Sequence, residues 1–589
     1  MRKERIILIT IFLFGFLVRI WLVGRYPPLL WDEAALGYNA YSILKTGRDE
    51  YGQLLPFIFK SFGDYKPGLY VYLTLPFVVL LGLNELAIRL PSVILGSLTS
   101  VFLYLLVKEI FEDTKIAFWS ALTLTFLPWS IHFSRGAWEA NVMTALLTLG
   151  SYLLVRSRKL KFKLEEVKVK NLSNKFLFLS LGCFFLALLT YQGAKMLVPL
   201  ILIGLFLFFK QFNFQFLISA SASERISIIL LGILIVAWYL FSFSGPAKNR
   251  LKVMSLLSYR RPESEIKTIL DEDRLSEKNW HFYLFHHEGL YFLRGFLTRY
   301  FNHLSPRFLA FDGDWNNPRH SAPYFGMVGH VNLILLLIGL ARFLSQRHKF
   351  SEYFFLYWLV IAPLPAALSR DIVSGVRSLP MVIPLSFFIG YGIERILKLK
   401  LEFKFKEVRS KKLKLRLLIL KYAQFIVRYS KYTILIFLIL DFIYWADLYF
   451  VHMVKRKPKD WLYGYKDAIK FVQEYKSRTD KVVFTDFYGQ PYIYYLFYSQ
   501  YSPQEYQRQA RLIENQFGDV GRVEKINNIF FGPVDRAKAE SCRHCLVIFS
   551  QDEILRSGID KDPQFFAQLK PLGEINNNQV MFYGLKILD

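Results

Sequence analysis

Two adjacent carboxylic acids, Asp32 and Glu33, follow the first long apolar run of the chain, directly after Trp31. A carboxylate at the boundary between an apolar segment and water is partly desolvated, which suits it to act as a general base. Leu36 and Ala40 follow at helical spacing, so the two acids also stand where a helix begins, and the helix dipole favours acidic side chains there. The sequence leaves both interpretations open: a general base, or a charge pair that begins a helix.

A second group capable of chemistry lies in the segment FGDYKPGLY, where Asp64 and Lys66 precede Pro67. Pro67 favours extended backbone before it and the start of a helix after it. A lysine beside a helix N-terminus at a membrane surface is suited to bind a phosphate group. We interpret Lys66 as a phosphate-binding residue and Asp64 as a residue that lines the site. The alternative is a lysine that only extends from the membrane into water.

The segment HFSRGAWEAN places Arg135 and Glu139 on either side of Gly136, with Glu139 about one helical turn inside an apolar run. Ionisable groups within membrane spans are costly and usually face a cavity or a charged partner. We therefore expect Arg135 to bind phosphate and Glu139 to line the site. The alternative is a structural ion pair between the two, because they are four residues apart.

A longer segment, 302–326, contains Asp312, Asp314, Arg319 and His320. The acids alternate as at the start of a calcium-binding loop, but Pro323 stands where such a loop needs a bidentate glutamate, so this is not an EF-hand. A lone D-x-D pattern often occurs by chance, so the sequence requires no cofactor, and a divalent cation bound by Asp312 and Asp314 is the one that it allows. Arg319 and His320 are predicted to line the site.

Further along the chain, Arg370, Asp371 and Arg377 lie in one short turn between apolar runs. Cationic side chains therefore recur at the ends of apolar segments, with acids near them. This pattern fits a phosphate-bearing lipid headgroup held at the membrane interface, and we interpret Arg370 and Arg377 as binding its phosphate.

The composition requires a membrane to hold these groups. Of 589 residues, 53% are hydrophobic, 17% are aromatic and only 21% are charged. Many apolar runs reach the roughly 20 residues that a membrane-spanning helix needs, which predicts a polytopic membrane protein and excludes disordered, collagen-like and disulfide-scaffold classes. The predicted spans are 6–24, 87–107, 116–132, 138–155, 176–191, 195–210, 226–244, 323–345, 352–368, 379–397 and 431–450.

The net charge of +27 indicates the orientation of these spans. Segment 69–82 is short and contains Pro76, so it is predicted not to cross the membrane. With eleven crossings, the basic loops 156–175 and 398–430 fall on the same side as the N-terminus, which the positive-inside rule makes cytoplasmic. The basic runs then face anionic lipid headgroups, and nucleic-acid binding is not predicted.

The predicted organisation has two parts. Residues 1–450 form the helical membrane domain, with a first outer loop at 25–86 and a large outer loop at 245–322. Residues 451–589 form a small extracytoplasmic α/β domain whose strand-like runs are 481–486, 544–550 and 579–588. Cys542 and Cys545 in this part are either a small disulfide or a reduced pair.

Several of these motifs occur together in one known family. The sequences W-D-E, G-D-Y-K-P-G-L-Y, R-L-P-S and H-F-S-R, the last followed by Glu139, stand in this order. With F-D-G-D before P-R-H-S, and A-P-L-P-A-A-L-S-R-D before R-S-L-P, the chain resembles glycosyltransferase family 39 over about residues 5 to 400. That GT-C group includes the protein O-mannosyltransferases and the lipid A aminoarabinose transferases.

The resemblance implies a GT-C fold in the plasma membrane and transfer of a sugar from a polyprenyl-phosphate donor, outside the membrane and with inversion. The acceptor would be an extracytoplasmic protein, lipid or glycan. The first-loop acid of the family corresponds to Asp32, with Glu33 beside it, and the lysine that contacts the lipid phosphate corresponds to Lys66. Arg135 and Glu139 match the second-loop pattern only loosely, and K-P-G stands where K-P-P is common.

Two other classes are compatible with a polytopic chain. A secondary transporter or lipid flippase predicts inverted repeats and charged residues at the bilayer midplane, and the sequence displays neither. An oligosaccharyltransferase or O-antigen ligase shares the GT-C plan but moves a larger glycan. The W-W-D-Y-G signature of the former is not evident in the C-terminal part.

Overall fold

The computed structural model describes residues 2–163, 167–209, 222–243, 255–398, 429, 432–513, 520–576 and 579–587. The described chain is mainly helical, with one larger β-sheet in its C-terminal part. In chain order the helices are α1 Arg2–Ile20, α2 Trp31–Thr46, α3 Leu69–Leu81, α4 Glu85–Phe111, α5 Thr114–Phe126, α6 Pro128–Ser134, α7 Glu139–Lys163, α8 Val167–Leu188, α9 Ala194–Phe208, α10 Ala222–Phe243, α11 Glu263–Glu272, α12 Trp280–Phe285, α13 Glu288–Leu304, α14 His330–Leu344, α15 Phe354–Ile361, α16 Leu364–Ala367, α17 Val382–Lys398, α18 Tyr432–Arg456, α19 Tyr465–Tyr475, α20 Pro491–Tyr498, α21 Pro503–Gln509, α22 Arg536–Glu540, α23 Gln551–Ser557 and α24 Pro563–Phe566.

The strands form one six-stranded sheet and two small two-stranded ones. In chain order they are β1 Ile58–Ser61, β2 Asp64–Pro67, β3 Lys481–Phe484, β4 Leu512–Ile513, β5 Arg522–Val523, β6 Lys525–Ile526, β7 Ile529–Phe531, β8 Cys545–Ser550, β9 Lys570–Asn576 and β10 Gln579–Ile587. The large sheet has the order β6-β7-β3-β8-β10-β9, and β3 runs parallel to both of its neighbours.

In the described part of the chain, four helical segments are long and apolar enough to cross a membrane. They are Glu85–Phe111, Phe350–Ala367, Leu379–Lys398 and Tyr432–Arg456, and α5 with α6 adds a fifth if this pair, bent by 56°, is one span. Each of the eleven predicted spans overlaps a described helix, but the number that cross remains a prediction. Helix α3 has 13 residues, a length of about 20 Å against about 30 Å of hydrocarbon.

Two large buried clusters divide the molecule. The first lies among the long apolar helices and includes Leu103, Trp129 and Phe387. The second joins α2, α3 and the loop between them to the C-terminal part, with Tyr38 and Phe582 in the same cluster. The first outer loop is therefore packed between the membrane helices and the C-terminal part, and the packing of both decides where its side chains lie.

The large sheet is buried on both faces, and successive side chains of its central strand β3 point alternately to the two faces. Val482 and Phe484 face the cluster shared with the first loop, whereas Val483 faces a smaller cluster formed with α22 to α24. This period of two is the ordinary geometry of a strand covered on both sides. Strands β3, β8 and β10 lie at the three runs predicted to be strands. Cys542 and Cys545 form a disulfide, one of the two states left open by the sequence.

Candidate active site

Asp32 and Lys66 meet in an ion pair between Oδ1 and Nζ. Asp32 lies in the first turn of α2, as the helical spacing predicts. Lys66 lies on β2, which pairs with β1 through a two-residue turn at Phe62 and Gly63. Both turn residues have positive φ, of 56° and 91°, as the tightest hairpin turns require. A helix start and a hairpin edge thus bring together two side chains that are 34 residues apart.

The pair is partly open to solvent, with side-chain exposures of 40% for Asp32 and 17% for Lys66. The second carboxylate oxygen of Asp32, Oδ2, accepts a hydrogen bond of 3.1 Å from the indole Nε1 of Trp31. Burial by itself lowers the pKa of Lys66, but the nearby carboxylates of Asp32 and Glu139 outweigh it and raise that pKa above its usual value. Lys66 is therefore a cation throughout the neutral range.

The neighbouring acid, Glu33, points into the protein. Its carboxylate receives two hydrogen bonds from Arg89, of 2.8 Å from Nε and 2.6 Å from Nη2. The backbone N–H groups of Leu30 and Ala137 donate two more, at 3.1 and 2.7 Å. Arg89 is fully buried and also donates to the carbonyls of Val23, Pro27 and Pro28. Glu33 thus holds the first loop together, and its oxygens already have partners.

Arg135 is also fully buried. Its Nη1 donates to the carbonyls of Val18, Arg19 and Trp21 near the end of α1, and its Nη2 donates to Tyr26. The structure therefore brings Arg135 to the carbonyls that α1 leaves unpaired, instead of to Glu139 or to the Asp32–Lys66 pair. A cation in this place caps the helix and satisfies its dipole.

Glu139 and Tyr191 extend the site from Lys66. Glu139 begins α7, and Tyr191 lies in the turn between α8 and α9. Tyr191 lies within electrostatic range of Arg377, Glu139 and Lys66. Arg377 is ion-paired with Asp371 and donates to the Ser369 hydroxyl at 3.3 Å. This side of the site combines two cations, two acids and a phenol.

The large outer loop reaches the same region through Asp314 and His320. Asp314 is fully buried, and its Oδ2 accepts from His320 Nδ1 and from the Gly375 backbone N–H, both at 2.6 Å. Burial tends to raise the pKa of Asp314, but the His320 imidazole and these hydrogen bonds hold it below its usual value. The pair therefore ties the loop to the turn that carries Arg377.

Asp312 does not join Asp314. It is exposed and pairs with Arg307 at 2.6 Å, while the oxygens of Asp314 accept hydrogen bonds from His320 and from backbone N–H groups. Within the described ranges, no group of three or more His, Cys, Asp and Glu side chains is arranged to hold a metal ion. The two acids predicted to share a cation thus have different partners.

Arg319 approaches Trp31, the residue before Asp32. Its guanidinium lies over the Trp31 ring, 5.6 Å from the centroid, and its Nε donates to Asn317 at 3.2 Å. Arg370 lies farther out, 38% exposed and 3.9 Å from Asp371. Of the predicted residues, the backbone of Asp64 belongs to β2, and its side chain lies outside the described part of the chain.

The site as assembled consists of Asp32, Lys66, Glu139, Arg319 and Arg377. It offers a solvent-accessible carboxylate for a proton and several cations for an anionic group. Sequence reasoning missed Tyr191, whose only signal is a polar aromatic residue at the end of an apolar run, in the segment YQGAK. It also missed Arg89 as the partner of Glu33.

A family model matches the N-terminal part of the chain. Residues 9–245 match the family described as dolichyl-phosphate-mannose-protein mannosyltransferase. That range contains Asp32, Lys66, Arg89, Glu139 and Tyr191. No curated protein matches the chain.

Several solved structures are similar to the chain at low identity. ArnT from Cupriavidus metallidurans in the apo state is 11% identical over 98% of this chain and 97% of that one, with a TM-score of 0.48. The same enzyme bound to undecaprenyl phosphate is 11% identical over 99% and 98%, with a TM-score of 0.49. The oligosaccharyltransferase of Archaeoglobus fulgidus in the apo form is 12% identical over 84% of this chain and 63% of that one, with a TM-score of 0.44. Residues 9–245 are thus similar to this mannosyltransferase family, which indicates a glycosyltransferase-type membrane enzyme similar to glycosyltransferase family 39.

Proposed function

We propose that this enzyme transfers a sugar from a polyprenyl-phosphate donor to an acceptor hydroxyl with inversion, and that Asp32 is its general base. The observation that carries the proposal is the ion pair of Asp32 and Lys66, open to solvent on one side and embedded in protein on the other. The pair provides a proton acceptor and a phosphate-binding cation within one site. The family that matches residues 9–245 is described by a lipid-phosphate sugar donor, which agrees with this chemistry.

In the proposed step, the acceptor oxygen attacks C1 of the sugar from the face opposite the phosphate. The new C1–O bond forms, the bond from C1 to the phosphate oxygen breaks, and the acceptor proton moves to Asp32. One displacement inverts C1, so no covalent sugar–enzyme intermediate is needed. Negative carboxylates near C1 also favour an oxocarbenium-like transition state, as in glycoside hydrolysis.

Lys66 has two partners in this scheme. With no donor bound, Nζ neutralises Asp32. When the donor enters, its phosphate competes for the ammonium group and leaves Asp32 more basic, so donor binding itself prepares the base. The raised pKa of Lys66 keeps the cation available for the departing phosphate.

Arg319 and Arg377 are proposed to stabilise the same phosphate, with Arg370 at the entrance. Arg319 is held against Trp31, and Arg377 acts on Tyr191 next to Lys66. Arg135 and Glu33 support the site instead, because their polar groups already bind buried carbonyls and Arg89. Glu139, whose charge interacts with that of Lys66, is proposed to orient the sugar or the acceptor.

We further propose that the site faces the extracytoplasmic side, with the N-terminus in the cytoplasm and the part after residue 450 outside. The support is the placement of the basic loops under an eleven-span topology. The acceptor is an extracytoplasmic protein, lipid or glycan. A site for Asp312 and Asp314 with a divalent cation is not part of the proposal, because these two acids bind other groups.

The direct test incubates the purified full-length protein in lipid with radiolabelled polyprenyl-phosphate sugars and measures the released lipid phosphate. We expect Asp32→Asn to lower transfer about 10²–10⁴-fold, the usual contribution of a general base. Asp271→Asn, an exposed acid on α11, is the matched control and should keep wild-type turnover. Wild-type turnover in Asp32→Asn rejects the base assignment. Movement of labelled lipid across vesicles without release of lipid phosphate identifies a flippase instead.

A further inference from the structure

Trp31 lies between the carboxylate of Asp32 and the C-terminal part: its indole bonds to Asp32, and its ring packs against Gly489. The Trp31 ring is half-buried between three segments. On one side lies Gly489, in the loop after β3; a Cβ added at Gly489 would stand 2.1 Å from the Trp31 ring atom Cζ3. Phe62, at the tip of the hairpin that carries Lys66, lies 6.4 Å from the ring, and Arg319 of the large outer loop lies at 5.6 Å.

We propose that Trp31 is a positioning residue for Asp32, and that Gly489 holds it in place from the C-terminal part. The inference rests on the proposed function and extends it to a residue that acts through Asp32. Asp32 alone touches the proton that moves. Trp31 sets where its carboxylate points, because the indole N–H donates to Oδ2 while Oδ1 faces Lys66.

The contact between Gly489 and Trp31 requires a glycine for two separate reasons. Gly489 has φ of +118°, a region that residues with a side chain rarely adopt. Its Cα also faces the ring so closely that any Cβ would displace the indole. Ring displacement would lengthen or break the 3.1 Å hydrogen bond to Asp32.

The surrounding contacts make this loop a firm support. Tyr494 on α20 donates to the carbonyl of Leu29 at 3.0 Å, next to the start of α2. The backbone N–H of Gly521 donates to the carbonyl of Phe62 at 2.6 Å, and Gln490 donates to the carbonyl of Gly521 at 2.8 Å. The C-terminal part thus holds both the helix that carries Asp32 and the hairpin that carries Lys66.

The test is a double-mutant cycle on the full-length protein in lipid, measured as transfer rate against pH. Trp31→Phe keeps a ring but removes the hydrogen bond to a charged group, so we expect about a tenfold lower rate at neutral pH. A donor to a carboxylate favours its charged form, so its loss raises the pKa of the base and moves the acidic limb of the pH–rate profile to higher pH.

The second arm is Gly489→Ala, for which we also expect about a tenfold loss. Gly558→Ala is the matched control, because Gly558 has φ of +68° but nothing within 4 Å of an added Cβ. It should keep the wild-type rate within twofold. In a Trp31→Ala background, Gly489→Ala should cost a clearly smaller factor than in the wild type, because the ring that it would displace is gone and only the backbone strain at φ +118° remains.

Two results would overturn the inference. One is a Gly489→Ala loss of the same factor with and without the Trp31 ring. The other is a Trp31→Phe profile whose acidic limb does not move, which a purely structural role predicts. Thermal unfolding of each variant, measured alongside, corrects the rates for folded protein. Asp32→Asn measured in parallel separates the two proposals: if it is inactive while the cycle is additive, only the role of Trp31 fails, whereas an active Asp32→Asn rejects the proposed base.

Discussion

Two ion pairs begin at neighbouring residues of α2 and lie in opposite environments. Asp32 pairs with Lys66 at the surface of the site, where the two side chains are 40% and 17% exposed. Glu33 pairs with Arg89 in the interior, where the exposures are 4% and 0%. Successive helix residues point about 100° apart, so one acid faces the partly exposed site and the next faces the core.

The difference shows that a carboxylate–cation pair can have either a structural or a chemical role, depending on its exposure. Glu33 has four donors on its two oxygens, and a buried carboxylate needs such compensation to remain charged. Asp32 lies where water and substrate can reach it. A carboxylate that must exchange a proton needs access to water and substrate. A carboxylate that holds backbone segments together must instead be shielded from water.

The largest expected effect on stability comes from breaking the interior pair. Glu33→Gln leaves Arg89 buried without its counter-charge, which costs about 3–5 kcal/mol. The matched Asp32→Asn change should cost less than about 1 kcal/mol, because partly exposed pairs contribute little. Thermal unfolding of both variants in the same detergent checks this. Equal losses would show that the two pairs are not structurally distinct.

The next effect concerns activity at the open pair. Lys66→Met should lower transfer about 10²–10³-fold, the usual cost of losing a group that stabilises developing negative charge, and leave the melting temperature nearly unchanged. Lys66→Arg should keep part of the rate. Because the pKa of Lys66 is raised above 10.5, its cation is retained as the pH rises, and turnover should show no basic limb from this group below about pH 10. A fall in turnover below about pH 10 that disappears in Lys66→Arg would contradict the assignment of Lys66 as a cation over this range.

A further acid, Glu50, sharpens the comparison, because it is buried beside an amide donor instead of a cation. Glu50 is fully buried against the C-terminal part, and its Oε1 accepts from Asn39 at 3.1 Å. Burial raises the pKa of Glu50 to about 8. A raised carboxyl pKa stabilises the fold at low pH, and this contribution is lost as the pH rises from about 4.5 to 8, because the unfolded state releases the proton first.

Glu50→Gln removes that loss. We expect the free energy of unfolding of the variant to exceed that of the wild type. This margin should grow from pH 5 to 8 by no more than about 1.4 kcal/mol per pH unit and then stay level. Glu263→Gln, an exposed acid at the start of α11, is the control and should show no pH-dependent margin. A margin that shrinks with rising pH would contradict the sign. Thermal unfolding at four pH values is sufficient.

Much of the helical framework follows from local sequence. Apolar runs near 20 residues predict helices, and Pro67 predicts the change from strand to helix that occurs between β2 and α3. The acids at the start of α2 also follow from the helix dipole. These features depend on neighbours within a few residues, so one sequence is enough to find them.

The site was predicted only in part. Residue type and position at the ends of apolar runs indicate Asp32, Lys66 and Arg377, whereas Arg319 is predicted from its place in the outer segment 302–326. Arg135 satisfied the same criteria, yet it binds the carbonyls at the end of α1. A cation near a membrane surface serves equally well to bind phosphate or to cap a helix, and its type does not distinguish the two.

The sequence by itself determined that this protein is a membrane protein with apolar helices and that acids and cations gather at the ends of those helices, because hydrophobicity and charge are properties of single residues. Only the tertiary structure decided which acid meets which cation. Lys66 is 34 residues from Asp32, and Arg89 is 56 from Glu33. Pairing over such distances depends on how α2, the β1–β2 hairpin and α4 pack against the C-terminal part, and that packing is a sum of many weak contacts that no short motif records.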